Sequence, residues 1–174
     1  MKSLLKIDSQ RTFEETIRRL SDNKIITRLE KGKYQIVGRF PSDFEIAQFI
    51  YNPSYISFET ALSYCGILSQ FPFEITSATT KKRAIKKVDQ KTYSYIHINK
   101  SLFTGYATEN NALVASPEKA VFDQFYLFTK GLKSLNAINE MDFSKVSKKK
   151  VLEYAHLLSN KQKEQVIKMV KQYI

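Results

Sequence analysis

The residues able to do chemistry are few, and their spacing does not converge on a reaction. The 174-residue chain has two histidines, His97 and His156, and one cysteine, Cys65. A zinc site takes three or four Cys or His ligands, mostly in close pairs, and these three stand far apart. A single cysteine leaves no internal disulfide, so Cys65 reads as a small buried hydrophobe. Asp123 falls inside an otherwise apolar segment and needs a partner. No second carboxylate, histidine or nucleophile accompanies it at a spacing that suggests acid–base catalysis. The sequence contains no Walker-type phosphate loop, no GxGxxG and no nucleophile elbow. The Gly-Ser and paired-aspartate pattern of a nucleotidyltransferase is missing too. The sequence therefore predicts a protein that is not an enzyme and takes no metal and no cofactor.

What the chain offers instead is positive charge. Lys and Arg number 28 against 17 Asp and Glu, a formal net charge of +11. Residues 1–40 carry ten basic and five acidic side chains, and 41–80 carry four acids with no Lys or Arg. Residues 81–91 carry six basic and one acidic, and 144–174 eight basic and two acidic. Separate basic blocks suit surfaces for an anionic partner; the plain alternative is a lysine-rich, well-solvated exterior. The densest run lies in Lys81-Lys82-Arg83-Ala84-Ile85-Lys86-Lys87. It reads as an exposed loop between two strands. Its Lys81, Lys82, Arg83, Lys86 and Lys87 either meet phosphates or an acidic protein, or only keep strand edges soluble.

Periodicity gives the elements that must position these charges. Ser9 caps a helix over roughly 11–23 with Phe13, Ile17 and Leu20 as its apolar stripe, after a short lead-in carrying Leu4, Leu5 and Ile7. Residues 25–29 and 34–37 form a β-hairpin around Glu30-Lys31-Gly32-Lys33, where Gly32 supplies the positive φ of the turn. A helix followed by a basic-tipped hairpin is the second half of a winged helix-turn-helix, in which the helix enters the major groove and the hairpin tip reaches phosphates. Arg11, Arg18 and Arg19 suit the helix; Lys24, Arg28, Lys31 and Lys33 suit the wing. Only about ten residues precede the helix, so residues 1–40 are expected to form a reduced module.

Residues 41–174 read as a second, larger α+β domain. A helix runs from Phe44 to Tyr51 behind Ser42 and stops at Asn52-Pro53. The next stretch, Tyr55 to Leu68, is a short helix with both ends marked. Ser57 is its N-cap, Glu59 sits in its first turn, Phe58, Ala61, Leu62 and Cys65 face inward, and Gly66 closes it. Residues 73–79, 93–99, 102–107 and 112–115 are strands of a small, mostly antiparallel sheet. Ser116-Pro117-Glu118 opens a helix that is apolar around most of its circumference, and so is buried. Residues 144–174 form two helices broken at Ser159-Asn160, with Lys145, Lys148, Lys149 and Lys150 crowding the start of the first. No apolar run is long enough to span a bilayer, and Met1-Lys2-Ser3-Leu4 does not open a signal peptide. A soluble, cytoplasmic protein is the expectation.

The ordered series Tyr55–Leu68 (YISFETALSYCGIL), ITSATTKKR from Ile75, YSYIHINKSLFTGY from Tyr93, and SPEKAVFD ending at Asp123 resembles the AbiE-type antitoxin family (AbiEi) of bacterial type IV abortive-infection toxin–antitoxin systems. The similarity covers about residues 25–131. Cys65 stands where many relatives carry His, and the N-terminal segment is shorter than that family's winged helix-turn-helix. The resemblance implies that Asp123 and Glu118 hold structural hydrogen bonds. It also implies that the N-terminal module represses its own operon by binding promoter DNA, with oligomers possible there, and that the rest of the chain counteracts a nucleotidyltransferase-like toxin. The alternative is a protein-interaction module whose winged-helix segment no longer binds DNA.

Overall fold

The computed structural model describes residues 9–133 and 135–174, with no side-chain description for 135–137. The lead-in bearing Leu4, Leu5 and Ile7 lies outside the described residues. The chain is mixed α+β and divides into two compact units, residues 1–41 and 42–174.

In the first unit, α1 (Gln10–Asp22) is followed by β1 (Ile26–Glu30) and β2 (Lys33–Ile36). Ser9 caps α1, its hydroxyl accepting from the Thr12 amide at 3.5 Å. The other end closes with two bonds, Lys24 N–H to Ser21 O at 2.9 Å and Ile25 N–H to Leu20 O at 2.9 Å. This is the paired pattern of a Schellman cap, which calls for a left-handed residue at the turn, usually Gly. Here that residue is Lys24, at φ 54°. β1 and β2 pair antiparallel, Ile26 opposite Ile36 and Arg28 opposite Tyr34, with Gly32 at φ 75° in the tip. Among the described residues of this unit only Ile17 is buried.

The second unit is built on a six-stranded sheet in the order β5-β6-β4-β3-β8-β7. The strands are β3 (Ser54–Ile56), β4 (Glu74–Thr79), β5 (Ala84–Val88), β6 (Lys91–His97), β7 (Tyr106–Glu109) and β8 (Ala112–Ala115). The helices are α2 (Asp43–Ile50), α3 (Phe58–Tyr64), α4 (Pro117–Thr129), α5 (Lys148–Ala155) and α6 (Asn160–Tyr173). α2 begins with a reciprocal cap between Ser42 and Glu45, which satisfies two first-turn donors at once. The Tyr95 hydroxyl donates to Ala47 O at 2.6 Å and the Tyr93 hydroxyl to Asp43 at 3.1 Å, which places α2 against one face of the sheet. α3 and α4 cover the other face. Residues Glu118 to Phe128 of α4 are all buried, the polar Glu118, Lys119, Asp123 and Gln124 along with the apolar side chains.

Three expectations need correction. The sheet is mixed rather than mostly antiparallel, because β4 runs parallel to β6 and β3 parallel to β8. Parallel partners are joined by long connections, so local periodicity does not reveal which strands meet. The central strands are covered on both faces, and Ser54–Ile56 and Ile75–Thr79 are buried without alternation. Second, residues 102–105 are not part of a strand, and only the end of the expected 102–107 strand is one. A 3-10 turn at Lys100–Leu102 precedes β7, which starts only at Tyr106. Third, the Lys81–Lys87 run is not simply a loop. Its second half belongs to β5, which pairs antiparallel with β6 and forms one edge of the sheet.

Candidate nucleic-acid interface

The seven N-terminal cations sit on two elements and the turn between them. On α1, Arg18 and Arg19 are exposed near its C-terminal end, where the helix dipole favours cations. Arg11 lies at the opposite end, and its guanidinium meets Glu15 at 3.2 Å. That pair is largely solvent-exposed and worth little, so Arg11 can exchange Glu15 for a phosphate at small cost. Lys24 projects from the Schellman turn that joins α1 to the hairpin. Arg28 and Lys31 are exposed on β1 and at the tip, whereas Lys33 is half-buried, its ammonium 3.8 Å from Glu30. At about 3.3 Å per residue, the tip stands roughly 17 Å along the hairpin from the start of β1. Helix end and tip are thus two separate points of positive charge on one small unit.

The second basic group divides differently. Lys81, Lys82 and Arg83 are exposed in a turn held from both sides. The Tyr51 hydroxyl donates to Lys82 O at 2.8 Å, and His97 Nδ1 lies 2.9 Å from Lys81 O. Lys86 and Lys87 follow on β5. The ammonium groups of Lys81 and Lys86 lie 5.6 and 5.9 Å from the Tyr51 ring centroid, within reach of a cation–π attraction. Of the C-terminal cluster, Lys148 and Lys149 are exposed, while Lys150 reaches Glu118 at 3.5 Å.

The partner that Asp123 needs is found inside the second unit. Its Oδ2 accepts from the Tyr55 hydroxyl at 2.8 Å and from the Ser57 hydroxyl at 2.7 Å, while Oδ1 meets the Lys119 ammonium one helical turn away. Lys119 and Asp123 are both completely buried. Burial pushes the Lys119 ammonium below its ordinary value, against the pull of Asp123, and drives the Tyr55 hydroxyl well above its own, reinforced by Asp123. The Lys119 Nζ also lies 4.9 Å from the Phe122 ring centroid and 5.6 Å from those of Tyr55 and Tyr154. Ser57 does stand at the N-cap of α3, but its side chain makes no capping bond; the hydroxyl is spent on Asp123 instead. The next residue, Phe58, adopts φ 56°, a conformation costing a bulky residue about 1–2 kcal/mol and held by the complete burial of its ring. Of this network, sequence inspection picks out Asp123 but misses Lys119, because a lysine in a helix ordinarily reads as surface.

An open depression of about 440 Å³ lies beside α3, lined by Glu59, Pro72, Phe73, Glu74, Thr76, Thr92 and Lys133. Its carboxylates are already engaged: Lys133 meets Glu59 at 2.6 Å, and the Ser94 hydroxyl donates to Glu74. Among the described residues no group of three or more His, Cys, Asp or Glu could hold a metal ion. No helix among them is long and apolar enough to cross a membrane.

No protein-family model matches the chain, and no curated protein matches it significantly.

Proposed function

We propose that this chain is a DNA-binding regulator of the antitoxin type, acting in the cytoplasm. In this reading residues 1–41 contact the promoter of its own operon, and residues 42–174 counteract a nucleotidyltransferase-like toxin. The observation that carries the reading is the first unit itself: a capped helix and a two-stranded hairpin, with Arg18, Arg19, Lys24, Arg28 and Lys31 exposed at the helix end, the connecting turn and the hairpin. The antitoxin half rests on the motif series from Tyr55 to Asp123. Phosphate contacts from Arg11, Arg18, Arg19, Lys24, Arg28, Lys31 and Lys33 would position the module, and base reading would come from α1. With Ile17 its one buried described residue, the unit is a weak clamp by itself, so binding as an oligomer on DNA is expected.

The test is binding to the promoter fragment and to unrelated DNA across a salt series. The variant Arg18→Ala, Arg19→Ala, Lys31→Ala, Lys33→Ala should lose affinity. Its dependence on log salt should flatten by about 0.9 per lost phosphate contact. Unchanged affinity and slope in that variant would sink the proposed site. In cells producing the toxin, the same variant should lose repression and keep neutralisation, which separates the two halves of the reading.

A second reading, a protein-interaction module, is favoured by one observation: Lys86 and Lys87 lie on β5, the strand at one edge of the larger unit's sheet.

A further inference from the structure

β5 closes the sheet at one end, and among the described residues β6 is its only strand neighbour. One row of its backbone donors and acceptors therefore points away from the sheet. The strand contains neither Pro nor Gly, pairs with β6 in unbroken register, and exposes Ile85 at 58%. Such an edge is a template for another extended chain, unless charge or shape prevents it.

The charges on β5 have a definite arrangement. Lys86 stands opposite Tyr93 and Ala84 opposite Tyr95, whose hydroxyls reach α2; Lys86 is therefore on the α2 face. Ile85 and Lys87, opposite Ser94 and Thr92, are on the other face. Lys81, Lys82 and Arg83 extend the positive charge beyond the strand's start in a turn already braced by Tyr51 and His97.

We infer that the β5 edge is a docking strand for an extended acidic segment of a partner protein, which adds to the sheet by main-chain pairing. An added strand alternates its side chains between the two faces. It can thus set one carboxylate beside Lys86 and another beside Lys87, with a β-branched residue against Ile85, at cross-strand distances of about 4.5–5.5 Å between Cβ atoms. A nucleic-acid backbone has no N–H donors with which to continue the ladder of the edge, whereas an extended peptide has one at each residue. Another copy of β5 is disfavoured because it brings lysine against lysine. This inference is independent of what residues 1–41 bind.

The probe is a fluorescein-labelled peptide of eight residues, β-branched except for two adjacent glutamates at its centre, which an added strand sends to opposite faces; it is titrated against the full chain by anisotropy. Binding should weaken about tenfold in the Lys86→Ala, Lys87→Ala variant, the loss expected from two cross-strand charge pairs. It should weaken at least comparably when alternate peptide amides are N-methylated, since each methyl group removes one main-chain donor from the ladder. The Lys86→Ala, Lys87→Ala variant should keep wild-type binding to promoter DNA. Absence of peptide binding overturns the inference. So does equal binding of the N-methylated peptide, which would mean charge attraction alone. A DNA duplex that competes for the site and shows the same sensitivity to Lys86 and Lys87 would overturn it in favour of a nucleic-acid surface.

Discussion

The Tyr55 hydroxyl donates to Asp123 Oδ2 at 2.8 Å, joining strand β3 to helix α4 across 68 positions of sequence. Ser57 fills the same carboxylate oxygen and Lys119 the other. Four polar groups with no access to water thus satisfy one another, and the central helix is fixed in rotation and height against the sheet.

Removing the carboxylate should be severe. Asp123→Ala leaves a buried ammonium without its counter-charge and two hydroxyls without an acceptor. A loss of about 3–5 kcal/mol is expected, the usual result of breaking a buried pair from one side. Urea unfolding measures it. Lys119→Met together with Asp123→Ala should be distinctly more stable than Asp123→Ala alone. If the two variants unfold together, the pair is not what holds α4.

Lys24 is expected to trade stability for charge. Both α3 and α4 end in the same double-bonded turn, with Gly66 and Gly131 at its left-handed position. α1 places Lys24 there. Lys24→Gly should protect the α1 amides from hydrogen exchange by up to about 1 kcal/mol more than in wild type. The salt dependence of DNA binding should fall by roughly one phosphate contact in the same variant. Lower protection would show that the lysine stabilises the turn in some other way.

Gly105 has no room for a side chain. A Cβ at this residue would lie 2.5 Å from the Tyr154 hydroxyl, and its φ of +78° disfavours any other residue. Gly105→Ala should cost at least about 2 kcal/mol, read as a lower thermal midpoint. Adding Tyr154→Leu should recover the part due to the clash and leave the backbone part.

Alkaline pH should unfold the larger unit through its tyrosines. Burial, then the nearby Asp43 and Asp89, raises the Tyr93 hydroxyl above its ordinary 10.0, and Tyr55 is raised in the same direction. A raised value means the folded state keeps a proton that the unfolded chain releases. The contribution is complete below the unfolded value and lost as pH rises beyond it. Lys119, lowered from 10.5, works in the opposite sense in that range. The comparison that isolates the effect is wild type against Tyr93→Phe: the wild-type urea midpoint should fall more steeply above pH 10.0. Parallel curves would remove Tyr93 as a cause.

Helices were legible in this sequence because their ends are written in local chemistry. Ser9, Ser42 and Ser116 all accept from first-turn amides, and Gly66 closes α3. Ser57 shows where that reading stops: its position marks the helix start, but a carboxylate 66 residues away takes its hydroxyl. The β3–β8 pairing joins Ile56 to Val114, and nothing local to either strand states it. β5 does not stand out in the sequence because an edge strand needs ladder bonds on one side only and tolerates lysine on both faces, so it lacks the alternating apolar pattern. The basic residues themselves were plain to see. What the sequence left out is their arrangement: Lys86 and Lys87 on opposite faces, Lys150 drawn to Glu118, and Lys119 not on the surface at all.

The separation between Tyr55 and Asp123 also has a meaning in time. A ribosome adding about 5–20 residues per second exposes β3 and the start of α3 some 3–14 s before the carboxylate that completes them is made. Throughout that interval Tyr55, Ser57 and Phe58 belong to a nascent chain without α4, with apolar surface open to whatever else is near. Newly made chain is therefore most vulnerable to aggregation and chaperone capture in the span before residue 123 emerges. A premature stop between α3 and α4 leaves a fragment that cannot close its own core.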